Sequence, residues 1–282
     1  MSAPPVSNSP DLAKRTIEDF GEQWTRFTTN DGFYASLDLL RDICEPLVPV
    51  SAFVDRRVVE IGSGTGRIVQ MALAAGAAHV TATEPSVAFD VLTRNLADAG
   101  SRVDCVRTTG DQLPLGLNAD LVVAIGVLHH IPDPAPVVEA AFRALRPGGR
   151  ILVWLYGREG NAAYLALVAP LRALTTRLPA APTLVLARVL SAMFTGYMAV
   201  SRVVPLPLRG YIRHVIGKFT PARRVEVIYD QLKPAYAKYY TRDEARALIA
   251  SAGFTDVQLH HRHGYSWTVT GIRPPDGERA WR

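Results

Sequence analysis

The sequence predicts an α/β chain wound around a mostly parallel β-sheet. Three observations carry this. A β-branched run at Val58–Ile61 breaks into glycines at 62, 64 and 66. From residue 57 to 156, strand-length apolar runs alternate with helix-length amphipathic runs, the pattern of repeated βα units. Two further short apolar runs close the chain beyond a long segment of different composition.

In order, Asp11–Phe27 is expected to be an amphipathic helix with Phe20, Trp24 and Phe27 at helical spacing, and Ser36–Val48 a second helix stopping near Pro49. Strands are expected at Arg57–Ile61, His79–Thr83, Arg102–Arg107, Ala119–Ile125 and Arg150–Tyr156, each dense in β-branched residues. The helices between them are Gly66–Ala75, Val87–Ala99 and Pro136–Leu145. Later, Thr241 caps a helix over Arg242–Ser251 that ends before Gly253. Strands at Asp256–His261 and Tyr265–Ile272 follow, joined near Gly264. The expected organisation is a loose tail at 1–10, a core at 11–157, an insertion at 158–240 and a closing unit at 241–282.

Composition bounds the class. At 282 residues, 48% hydrophobic and 20% charged, the chain is globular. Cys44 and Cys105 are too few for a disulfide framework. MSAPPVSNSP lacks the basic start and apolar run of a signal peptide, so a cytoplasmic location is expected. His260, His261 and His263 have no cysteine or carboxylate at ligand spacing, and no metal site is expected.

The glycine loop is the sharpest functional pointer. Strand, glycine turn and helix form the ligand edge of an open α/β sheet. A dinucleotide loop places its third glycine three residues after the second, and here that position is Arg67. Glu60 followed by Gly62, Gly64 and Gly66 instead resembles the first motif of class I methyltransferases, which use S-adenosylmethionine (SAM). DLVVAIGVLHHIPDP at 120–134 and RPGG at 146–149 resemble that family's fourth-strand signature and the turn before its fifth strand. The resemblance covers residues 56–157 and is nearest to small-molecule enzymes of the ubiquinone and menaquinone type. It implies a Rossmann-like, doubly wound sheet of seven strands with an antiparallel last strand.

The resemblance also implies site residues. The loop around Glu60, Gly62, Gly64 and Gly66 would hold the methionyl part of SAM. Glu84, 22 positions after Gly62, would accept from the ribose hydroxyls. Asp111 would receive the adenine amino group, with Gln112 beside the ring. His129 and His130, just past the fourth strand, are the candidates for a base, since imidazole titrates near neutrality. Trp24 is a candidate to close over the cofactor, and Asp230 to return near the acceptor.

Between Gly160 and Val225 the chain has nine Lys and Arg and no Asp or Glu, so the rest is net acidic although the total charge is +5. Arg188, Ser191, Thr195 and Arg202 fall on one helical stripe, with aliphatic residues on the other faces. This fits a lid over a lipophilic acceptor, or a helix lying on anionic lipid. Sparse aromatic interleaving argues against a nucleic-acid face. The expected function is methyl transfer to a small or lipophilic metabolite, first at oxygen. Transfer to nitrogen or carbon of a natural product or glycan precursor, and a non-catalytic SAM-binding or membrane-surface role, are the alternatives.

Overall fold

Hydrophobic runs long enough for a strand, but apolar on both faces, must be buried between two layers. A computed structural model of the chain, describing residues 10–204, 206 and 209–275, has this arrangement. Its strands are β1 (Arg57–Ile61), β2 (His79–Thr83), β3 (Val103–Val106), β4 (Ala119–Ile125), β5 (Leu145–Tyr156), β6 (Thr255–Arg262) and β7 (Ser266–Ile272). They form one sheet in the order β3-β2-β1-β4-β5-β7-β6. The first five are parallel; β7 is antiparallel to both β5 and β6.

Successive side chains go to opposite faces. Val58, Leu121, Val123 and Leu152 pack on one side with α2 (Leu37–Cys44), α3 (Arg67–Ala74) and α4 (Phe89–Asn95). Val59, Val122, Ile151 and Val153 pack on the other with α5 (Ala135–Ala144) and α10 (Arg242–Ala250). At the start of α10, Thr241 and Glu244 form a reciprocal capping box. The first helix, α1 (Pro10–Arg26), precedes the sheet. Between β5 and α10 lie α6 (Ala162–Thr175), α7 (Ala180–Ser201), α8 (Arg209–His214) and α9 (Pro221–Leu232). Arg223 of α9 is buried and donates to Glu226 at 2.6 Å, Asp31 at 2.9 Å and the Thr29 carbonyl at 3.0 Å, which ties α9 to the segment after α1.

Several boundaries differ from expectation for local reasons. The helix expected over 87–99 ends at Asn95 and tightens into a 3₁₀ turn, because Gly100 turns the chain at φ 58°. The helix expected to reach Val48 stops at Cys44; Glu45 precedes a proline and is extended. β5 begins at Leu145, earlier than expected, because the RPGG segment pairs with the chain leaving β7: Gly148 N–H donates to the Arg273 carbonyl and Arg273 N–H to that of Gly149. The tail expected at 1–10 lies outside the described residues except for Pro10, which begins α1.

The stripe expected on the insertion is split. Ser191 is buried, together with Thr183, Ala187 and Ser201, whereas Arg188, Thr195 and Arg202 stay exposed among aliphatic side chains. Small residues let α7 approach α9 closely, and the large apolar residues are left to the cavity side and the outside.

Leu152 sits at the sheet centre with no solvent exposure. Leu152→Ala is expected to lower unfolding stability by about 2–5 kcal/mol, measured by urea denaturation followed by circular dichroism.

Candidate active site

The strand order reverses between β1 and β4, and ligands of open α/β sheets bind at the carboxyl ends of the strands at such a point. The loops after these two strands touch. Gly62, Gly64 and Gly66 all have positive φ, at 70°, 54° and 85°, the left-handed region that glycine enters without a steric penalty. A Cβ on Gly62 would stand 2.8 Å from Val127, beyond β4, and one on Gly64 would stand 3.1 Å from the indole nitrogen of Trp24. Trp24, on α1, thus lies against the loop. Gly66 has a different job: it precedes α3, and its missing Cβ makes room for Leu92 and Leu96. It does not border the cavity described next.

A cavity of about 930 Å³ starts at this loop and runs under α1, α6, α7 and α9. Its size lies at the upper end of the range for small-molecule sites. Glu60 and Ser63 border it, and Glu60 Oε2 and Ser63 Oγ are buried without a hydrogen-bond partner. Burial raises the Glu60 carboxyl to about 7. Glu84 follows β2, and both of its oxygens are engaged. Oε2 accepts from Gly64 N–H at 2.9 Å; Oε1 accepts from Ser86 N–H at 2.9 Å and from the Ser86 hydroxyl. A carboxylate oxygen has two lone pairs, so Oε1 is fully engaged and Oε2 can still take one hydroxyl. Asp111 also borders the cavity, and a hydrogen bond from Gln112 Nε2 at 3.0 Å holds its carboxyl below the ordinary value. Gln112 itself is exposed and lies off the lining; it supports Asp111 from outside.

The two histidines part company. His130 borders the cavity, and its Nδ1–H donates to the Tyr236 carbonyl at 2.8 Å, leaving the Nε2 lone pair free. Burial lowers its pKa to about 3. His129 is fully buried off the lining, its ring stacked 3.7 Å from that of Tyr156 and neither nitrogen partnered. Beyond β4 the chain forms a 3₁₀ turn, so the two rings leave strand alternation and only one reaches the cavity.

Asp230, on α9, does return to the cavity. Oδ1 accepts from Gln23 Nε2 at 3.0 Å and Oδ2 from the Tyr156 hydroxyl at 3.3 Å. Burial raises its carboxyl pKa. Gln231 Nε2 donates to the same Tyr156 oxygen at 2.6 Å and Tyr164 donates to Gln231 Oε1 at 2.9 Å. Gln23 Oε1 has no partner. Sequence reasoning missed Gln23, Tyr156 and Gln231. Tyr156 was findable, since it ends a strand at the ligand edge. The others carry no local signal, because α1 and α9 meet only in the folded chain. Of the late histidines, His261 stacks on Trp267 and His263 pairs with Asp42 at 2.7 Å.

Residues 59–151 match the family model of a methyltransferase domain. The sheet order, the glycine loop and the acids at its rim agree with that match. This stretch is similar to the methyltransferase domain of SAM-dependent enzymes. The ubiquinone biosynthesis O-methyltransferase of Aromatoleum aromaticum is 32% identical over 116 residues, covering 40% of this chain and 49% of the relative. That of Xylella fastidiosa is 33% identical over 130 residues, covering 45% and 51%. The chain thus spans about half the length of the curated relatives it matches. Among solved structures, the 1,6-didemethyltoxoflavin-N1-methyltransferase of Burkholderia thailandensis, with bound 1,6-didemethyltoxoflavin and S-adenosylhomocysteine, superposes with TM-score 0.53 at 16% identity. It covers 97% of this chain and 93% of that one, and the likeness is one of fold.

The methyltransferase domain suits SAM on its own chemistry. The cofactor carries a cationic ammonium and a sulfonium, and the orphaned Glu60 oxygen is a buried acceptor without a donor. Glu60 and Ser63 would hold the amino-acid end, Glu84 the ribose and Asp111 the base.

The His130 pKa sets a pH dependence. The folded imidazole stays neutral down to about 3, while the unfolded one takes a proton below 6.5. Between those values the unfolded state binds more protons, so stability is intact above 6.5 and falls as the pH drops. Denaturation midpoints between pH 7 and 4 are expected to fall less steeply for His130→Gln than for the parent, by up to ~1.4 kcal/mol per pH unit.

Proposed function

We propose that the chain transfers a methyl group from SAM to an oxygen of a small, lipophilic acceptor, with His130 as the base. The carrying observation is the cavity itself: one continuous space joins the glycine loop, His130 and an apolar chamber between the insertion and α2. The chamber wall includes Leu39, Ile43, Leu171, Leu190, Phe194 and Phe219. Residues 158–240 serve in this reading as a lid. The names of the curated relatives favour oxygen as the methyl acceptor.

The bound cofactor supplies an electrophilic methyl on sulfur. The chain's part is to align the acceptor, exclude water and take one proton. Gln23 Oε1 and Asp230 offer hydrogen-bond acceptors to a hydroxyl at the edge of the chamber. As the O–CH₃ bond forms, the oxygen becomes positive and its proton strongly acidic. A base with a pKa near 3 can then take it at Nε2, so His130 need not ionise the hydroxyl beforehand. Its Nδ1–H bond to Tyr236 keeps the ring in the tautomer required. Peripheral contact with an anionic membrane, within a cytoplasmic location, belongs to the same reading, because a lipophilic acceptor partitions into lipid.

With isotopically methyl-labelled SAM and a panel of lipophilic phenols, alcohols and amines, label is expected in a hydroxylated acceptor. Label confined to amines would overturn the oxygen assignment. His130→Gln is expected to lower kcat about 10²–10⁴-fold with SAM affinity unchanged. Glu84→Ala is expected to weaken SAM binding by about 2–3 kcal/mol, measured by calorimetry; an unchanged affinity would remove Glu84 from the site.

A further inference from the structure

The solvent side of α6 is built only of alanine, proline and leucine, among them Ala166, Leu167, Ala169, Pro170 and Leu174. On α7 the exposed large side chains Val185, Val189, Met193 and Val200 recur at helical spacing. The hydroxyls of Thr183, Ser191 and Ser201 face inward instead. Each helix is amphipathic in the wrong sense for water, and exposed apolar surface of this kind marks an interaction face. Leu167 and Met193 both border the cavity while being 72% and 67% exposed, so they form part of its rim.

The charge on this face selects its partner. Arg177 in the α6–α7 connection, Arg188 on α7 and Arg202 at its end are exposed, and their guanidinium groups have no hydrogen-bond or ion-pair partner among the described residues. From residue 161 to 225 no acid is available to meet them. A second copy placed on this face would therefore set arginine against arginine. An anionic bilayer offers both hydrocarbon for the aliphatics and phosphate for the arginines. The helix α7 is long and apolar enough to cross a membrane. Arg188 in its interior and its packing against α9 hold it along the surface instead.

We propose that the outer face of α6 and α7 docks on an anionic lipid surface and sets the rim at Leu167 and Met193 against the bilayer. A lipophilic acceptor then passes from lipid to chamber without crossing water. This rests on the lipophilic-acceptor reading above. The test is co-sedimentation of the full chain with phosphatidylcholine vesicles, with and without phosphatidylglycerol, at low and high salt. Binding is expected only with the anionic lipid and is expected to weaken with salt. Val185→Asp/Val189→Asp and Arg177→Glu/Arg188→Glu, neither touching the cavity lining, are each expected to weaken it about tenfold with SAM affinity by calorimetry unchanged. Intact SAM binding without vesicle binding would overturn the docking proposal alone. So would equal vesicle binding by both variants and the parent, or a dimer in light scattering that Val185→Asp/Val189→Asp dissolves. Loss of SAM binding by the parent chain would instead overturn the methyltransferase reading.

Discussion

The carboxylate of Glu84 is the pin on which the site turns. One oxygen holds the backbone N–H of Gly64 and the other holds Ser86, so a single side chain at the end of β2 fixes both the glycine loop and the start of the next connection. Three left-handed glycines at alternate positions have no side chains to hold their shape. Without that tie the loop would keep its freedom, and the slot between β1 and β4 would have no fixed width. Val127 and Trp24 lie against the same loop, where a Cβ on Gly62 would collide with Val127 and one on Gly64 would crowd Trp24.

Low polarity is the second constraint. The cavity is walled by aromatic and aliphatic side chains, and the ionisable groups at its edge show the effect of desolvation: Glu60 and Asp230 are raised, and His130 is lowered. All three shifts favour the neutral form, and low polarity also strengthens every remaining hydrogen bond. Such a chamber suits a reaction in which charge moves from sulfur to a transient oxonium and leaves as a proton. The polar row from Gln23 through Asp230 and Tyr156 to Gln231 sits at the boundary between the cofactor half and the apolar half.

The core was legible because it obeys local rules. The bounds of β1, β2 and β4 follow from β-branched runs flanked by turn residues, and the capped start of α10 from Thr241 and Glu244. The place of Glu60, Glu84 and Asp111 beside the cavity was legible because each sits at or beyond a strand end at the ligand edge. What sequence could not supply was contact between distant segments. The choice between His129 and His130 depends on a 3₁₀ turn, and the partners of Asp230 come from α1 and β5. The insertion misled for a physical reason: a helix with small hydroxyl residues inward and aliphatics outward has the same periodicity as one facing the other way.

The acid-free part of the insertion, residues 161–225, has two sides: α6 and α7 line the cavity within and present aliphatics and arginines without. The whole account depends on the glycine loop and its rim of acids forming a pocket for a cationic adenosyl ligand. Calorimetric titration of the full chain with S-adenosylmethionine and with S-adenosylhomocysteine, against a nicotinamide dinucleotide as control, tests this most directly. The account predicts saturable one-to-one heats with the two adenosyl ligands and none with the dinucleotide. Heat with the dinucleotide and none with either adenosyl ligand would contradict it.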